Sequence, residues 1–170
     1  MRKIIFGVLI GVFAAGEGYG ESRDVPPVES ANIITESESV SLLRFEIPES
    51  VSGRKVVRAI LQIPVTCESG RSMRAHVTSA PTTWKSAQAS DWWALNRQAL
   101  DHGNVFESGE CRSGTIRIDV TRQVRSWSVG YPNHGFVIQG KVGDERLLAE
   151  GNVLLRLTIR PTPPADYMPN

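Results

Sequence analysis

From Ser41 onward the chain alternates apolar and polar positions with a period of two. In "SLLRFEIP", Leu43, Phe45 and Ile47 face one way while Arg44 and Glu46 face the other. "KVVRAILQIPV" places Val57, Ala59, Leu61, Ile63 and Val65 on one face, and Pro64, which has no N–H to donate, marks an edge or a strand ending there. "SMRAHVT" points Met73, Ala75 and Val77 inward, "TIRIDV" does the same with Ile116, Ile118 and Val120, "GFVIQG" is short and apolar, and "NVLLRLTIR" aligns Val153, Leu155, Leu157 and Ile159. Six or seven antiparallel strands, each with one wet face, predict an all-β chain built as an antiparallel β-sandwich.

One stretch changes period. In "TIRIDVTRQVRSW" the strand alternation ends at Val120, after which Val120, Val124 and Trp127 recur at i, i+4 and i+7, the spacing of one helical face. Asp119 or Thr121 can accept a hydrogen bond from the first free N–H groups of that helix. Gly130 stops it, and "YPNHG" turns the chain into the next strand. The pattern therefore predicts one short amphipathic helix after the Ile116–Val120 strand, with Trp127 plugging an open end of the sandwich.

The N-terminus reads differently. Arg2 and Lys3 precede a twelve-residue uncharged run, Ile4 to Ala15, followed by small residues that offer cleavage after Gly16 or after Gly20. That run is shorter than the roughly 20 residues a membrane span needs, so residues 1–20 are read as a secretory signal peptide and the mature chain as having no transmembrane segment. Residues 21–38 are polar, carry a Pro pair and show weak periodicity. They read as an N-terminal tether or an irregular first strand, followed by the sandwich over 39–161 and a C-terminal tail over 162–170.

Charge and cysteines narrow the setting. Of 19 basic and 18 acidic residues, residues 1–20 hold two and one respectively, leaving 17 of each sign. A balanced chain has no general attraction to nucleic acid or to an anionic surface, so no nucleic-acid partner is expected. Cys67 and Cys111 are the two cysteines, and a secreted, periplasmic or cell-surface setting favours their joining as a disulfide. Such a bridge would close a loop worth about 4 kcal/mol on the chain-entropy scale. Two separate buried thiols are the alternative.

No catalytic pattern stands out. The histidines His76, His102 and His134 are scattered, with no H-E-x-x-H helix and no Cys/His cluster at zinc spacing. There is no G-x-S-x-G elbow, no spaced Asp loop for calcium, and no pair of carboxylates that the sequence places at glycosidase separation. "GFVIQGKV" approaches a phosphate-binding loop but lacks the hydroxyl for magnesium and has an apolar strand where cradling amides belong. The expectation is a non-enzyme with no cofactor and no metal.

The strings "LLRFEIP", "VRAILQIPV", "PTTW" with "SDWWALN", "IRIDVTRQVRSW", "NHGFVIQG" and "LLRLTIRP" occur in that order across residues 40–161. Together they resemble the DNRLRE domain family of secreted, mostly prokaryotic proteins. The propeptides of transforming growth factor beta precursors are similar around "DVTRQVRSW" and "NHGF", a likeness of fold only. The DNRLRE resemblance implies a jelly-roll-like β-sandwich, some relatives being carbohydrate-binding modules. On that background the insertion "PTTWKSAQASDWWALNRQAL" is the informative segment, because tryptophan rings stack on sugars while Asn, Gln, Arg and Asp bond hydroxyls. Trp84 is read as packing the insertion onto the sandwich, and "ASDWWALNRQAL" as a short helix capped by Ser90 or Asp91. Trp92 and Trp93 are expected to split, one ring buried and one exposed for ligand, with Tyr131 and His134 as a second candidate surface. Polysaccharide or a surface glycan is then the expected partner. The alternative is a structural or adhesion protein that binds another protein.

Overall fold

The computed structural model describes residues 20–34, 38–49, 51, 56–64, 75–100, 106–107, 114–141 and 153–160. These residues form nine strands and two α-helices: β1 (Glu21–Val25), β2 (Pro27–Ile34), β3 (Glu38–Phe45), β4 (Val56–Pro64), β5 (His76–Ser79), α1 (Ala89–Leu100), β6 (Phe106–Glu107), β7 (Thr115–Asp119), α2 (Thr121–Ser128), β8 (Phe136–Lys141) and β9 (Leu154–Ile159). A four-stranded sheet runs in the order β1-β9-β4-β7 and a five-stranded sheet in the order β2-β3-β8-β5-β6, every pairing antiparallel. The chain is therefore mostly β, as its alternation predicts.

The alternating apolar faces meet where they should. Ala59, Leu61 and Ile63 of β4, Ile116 and Ile118 of β7, and Leu155, Leu157 and Ile159 of β9 share one core with Leu43, Phe45, Val77, Phe136 and Ile138 of the other sheet. The outer face of the four-stranded sheet stays wet and charged: Arg156 forks onto Asp24 with both bonds at 2.7 Å, and Arg58 lies 3.8 Å from Asp119. Such exposed pairs add little stability, so the shared apolar core is what joins the layers.

Three expectations are settled or corrected. Of the two readings of the segment after the signal, tether or irregular first strand, residues 21–34 take the strand one, as two strands. They supply β1 and β2, which pair with β9 and β3 and switch from one sheet to the other at Pro26. Both are edge strands with one ladder partner and mostly exposed side chains, so the apolar alternation that marks interior strands is weak in them. The apolar face of β4 is also shifted: a bulge between Val56 and Arg58 turns Val56 inward and leaves Val57 exposed. Pro64 ends β4, which lies inside its sheet and not at an edge. Finally, the five-stranded sheet has no wet face along its middle. Val40, Leu42 and Val137 point away from the shared core into a second apolar cluster beneath α1.

The period switch at Val120 has a physical basis. Val120 N–H bonds Ala59 O at 3.0 Å as the last rung beside β4, and Asp119 Oδ1 accepts the Thr121 N–H at 3.0 Å as the chain turns into α2. Thr121 does not cap the helix; its hydroxyl accepts the Ala59 N–H at 2.9 Å, continuing the ladder with a side chain. Arg125 then clamps the helix, donating to Val56 O at 2.7 Å and Val57 O at 2.9 Å. Val120, Val124 and Trp127 are buried, so the helical face read from the spacing is the one that packs. In the following turn Asn133 donates to Phe45 O at 2.6 Å and accepts the Gly135 N–H at 3.1 Å.

Candidate functional site

The tryptophan-rich segment is a cover for the five-stranded sheet. Trp84, Trp93, Ala89 and Leu100 pack with Ile33, Val40, Leu42 and Val137. Trp84 is buried, as expected, and its indole N–H donates to His134 O at 2.8 Å. Trp92 and Trp93 do not split: they are 8% and 5% exposed, and the Trp92 N–H donates to Thr82 Oγ1 at 2.9 Å. Neither face is free to serve as an open stacking platform. Neighbouring helix positions differ by about 100°, yet both rings belong to the apolar cluster on the sheet, and Thr82 holds the Trp92 indole from the preceding segment.

What the rings leave outside is a groove of about 350 Å³, at the small end of the range for ligand pockets, roughly 300–1,000 Å³. Trp84, Trp92 and Leu95 give it apolar walls; Thr83, Lys85, Gln88 and Asp91 give it polar groups of both charge signs. Leu95 is 84% exposed, an apolar lip on an otherwise polar helix face. The fold brings His134 to this place, since its Nδ1 lies 3.0 Å from Thr83 Oγ1 while its carbonyl holds Trp84. Tyr131 is exposed but does not line the groove. Of the four expected ligand residues, Trp92 contributes an edge and His134 supports from behind.

The sequence reading missed Thr83, Lys85, Gln88, Asp91 and Leu95. A short 3-10 turn at Ser86–Gln88 leads directly into α1 at Ala89, so the chain turns helical at Ser86, about one turn before the expected Ser90 or Asp91 cap. Continued through that turn, Gln88, Asp91, Trp92 and Leu95 recur at i, i+3, i+4 and i+7 and form one stripe.

Glu29 of β2 fixes the groove segment to the sheet. Its Oε1 accepts the Ser86 N–H at 2.8 Å, and its other oxygen pairs with Arg44. The Ser86 N–H, and then Arg44, hold the Glu29 carboxyl below its ordinary value, and the hydrogen bonds from Arg156 do the same for Asp24. A carboxyl whose folded-state value is lowered contributes stability above the ordinary value and loses it as pH falls through the lowered one. Thermal melts of the wild type should therefore fall as pH drops below 4.5, the ordinary glutamate value, and Glu29→Gln should flatten that limb. Parallel limbs in the two proteins would refute the assignment.

No family model matches the chain. No curated protein matches it significantly. No helix among the described residues is long and apolar enough to cross a membrane. Cys67, Cys111 and the signal segment through residue 19 lie outside the described residues.

Proposed function

We propose that this chain is a secreted or cell-surface, non-catalytic binding module of DNRLRE type, a jelly-roll-like β-sandwich whose groove beside α1 takes a short stretch of polysaccharide or surface glycan. The observation that carries this reading is the groove itself, in which hydroxyl, amide, ammonium and carboxylate groups surround the apolar edges of Trp84, Trp92 and Leu95. A sugar ring has that same split, with apolar C–H faces and a polar rim. Within the strings that carry the resemblance, Asp119, Thr121, Arg125 and Asn133 each bond a backbone group at a turn or along α2. The signal-peptide pattern supports the compartment.

A glycan array probed with the mature chain tests the reading, followed by the double variant Gln88→Ala and Asp91→Ala. Both side chains are exposed, so the melting temperature should stay within a degree or two of wild type, a small surface effect. Retention should drop by about tenfold or more, the loss of two hydrogen bonds at roughly 0.5–1.5 kcal/mol each. A wild type that no glycan retains, or a variant that binds equally well, would move the assignment to the alternative of an adhesion protein, with Leu95 as the exposed contact.

A further inference from the structure

His134 stands behind the groove on a backbone that is pinned before and after it. Its own carbonyl accepts the buried Trp84 indole N–H at 2.8 Å, Asn133 donates to Phe45 O at 2.6 Å, and the Gly135 carbonyl accepts the Ala80 N–H at 2.9 Å. An imidazole on so fixed a backbone keeps its place when its charge changes. Its Nδ1 lies 3.0 Å from Thr83 Oγ1, and Thr83 lines the groove. One hydroxyl therefore joins the ring to the space a ligand would fill.

A hydroxyl has one proton to donate and two lone pairs that accept, whereas an imidazole nitrogen accepts or donates according to whether it carries a proton. While Nδ1 is bare, Thr83 points its proton at the ring and only lone pairs at the groove. Once the ring is charged both nitrogens carry protons, so Nδ1–H donates to Thr83 Oγ1 and the hydroxyl proton swings outward. The groove then offers a donor where it offered an acceptor. Imidazole is the side chain whose ordinary charge change falls between about pH 5 and 8. The ionisable groups around this corner are Lys85 in the segment that carries Thr83, Asp91 on α1, Tyr131 in the turn of His134, Arg44 on the strand that Gly135 closely approaches, and its partner Glu29 on β2. None of them is an imidazole. His76, the other described histidine, is on β5 opposite Gln139, farther along β8.

We propose that His134 sets the polarity of the groove: neutral, with its proton on Nε2, it makes Thr83 a hydrogen-bond acceptor toward the ligand, and protonated it makes Thr83 a donor. The inference rests on the groove being the ligand site. Sugar hydroxyls donate as well as accept, so a neutral glycan pairs with Thr83 in either state. A carboxylate only accepts. A uronate unit therefore gains a bond to Thr83, which shares the groove lining with Lys85, only when His134 is protonated. His134 acts through Thr83 and is a positioning residue, not a ligand contact.

Heteronuclear NMR of the mature chain, labelled at the histidine ring nitrogens, tests the hydrogen bond with no ligand present. At about pH 8, above the imidazole range, the His134 ring should show one tautomer with Nδ1 bare, both in the wild type and in Thr83→Ser, which keeps the hydroxyl. Thr83→Val should show a mixture of tautomers. Thr83 is exposed, so both variants should fold as the wild type does. A neutral ring protonated on Nδ1, or a tautomer that Thr83→Val leaves unchanged, overturns the proposal. Retention on immobilised polygalacturonate, with its carboxyl-reduced neutral form as control, tests the consequence. Between about pH 8 and pH 5 the wild type should gain about tenfold on the acidic polymer, the scale of one hydrogen bond to a charged group, and nothing on the neutral one. Thr83→Val should lack that gain; an equal gain there would come from the ring charge alone and also overturns the proposal. The tautomer decides the hydrogen bond whatever the groove binds, so a chain that no glycan retains refutes the glycan reading and not the switch.

Discussion

Trp127→Ala is expected to lower the unfolding free energy by about 3–5 kcal/mol, the usual range for removing a buried tryptophan. The Trp127 ring centroid lies 4.8 Å from that of Phe136, which in turn meets Phe45 edge-on at 6.2 Å. Val120 and Val124 complete the contact, so the ring joins α2 to the core shared by both sheets. The helix is otherwise attached by Arg125 to the start of β4, by the Thr121 hydroxyl to Ala59, and by Asp119 at its first turn. For a domain with roughly 5–15 kcal/mol in total, such a loss is a large share. Urea denaturation measures it, with Arg122→Ala as the exposed control expected to change stability by about 0.5 kcal/mol or less. A Trp127→Ala protein as stable as that control would show that α2 does not depend on the ring.

Gly135→Ala should be at least as damaging, for a backbone reason. Gly135 has φ +88°, and a Cβ there would lie 2.2 Å from Leu43 O and 2.9 Å from Arg44 Cα. Leu43 pairs with Phe136 at the end of the β3–β8 ladder, so the methyl can be placed only if two central strands part. The same residue accepts the Ala80 N–H at 2.9 Å, which ties β5 to this point as well. Gly130 is the natural comparison, because its φ is +100° and nothing lies within 4 Å of its added Cβ. Gly130→Ala should cost only the left-handed conformation, about 1–2 kcal/mol. Gly135→Ala should exceed that by several kcal/mol or fail to accumulate as folded protein, measured by denaturation or by yield of the soluble chain. Equal losses at the two positions would mean that the close approach to β3 is not what requires glycine.

These two residues illustrate what was legible beforehand. Trp127 could be placed from spacing alone, because helix periodicity and burial coincide when one face of a short helix packs on a core. The same holds for β7 and β9, whose alternating residues are all inward where the pattern puts them. Local period fixes which residues share a face, and the hydrophobic effect fixes which face turns inward. Gly135 was legible only as a turn. Its closeness to Leu43 is set by strands almost a hundred positions apart in the chain.

Wherever burial depends on what lies opposite, the sequence was silent or misleading. β1 and β2 are strands because β9 and β3 offer them ladders, and their own polar faces carry no period to announce it. Trp92 and Trp93 look like ligand rings in a polar insertion, yet the apolar outer face formed by Val40, Leu42 and Val137 needs a cover, and the rings supply it. The groove exists because that cover leaves Thr83, Lys85, Gln88, Asp91 and Leu95 on its outer side. By itself, then, the sequence determined a mostly β chain with short helices at "ASDWWALNRQAL" and after the Ile116–Val120 strand, on an apolar core. The tertiary structure decided which edges close the sheets, which rings are hidden and where a ligand can sit, because exposure belongs to pairs of surfaces and not to single segments.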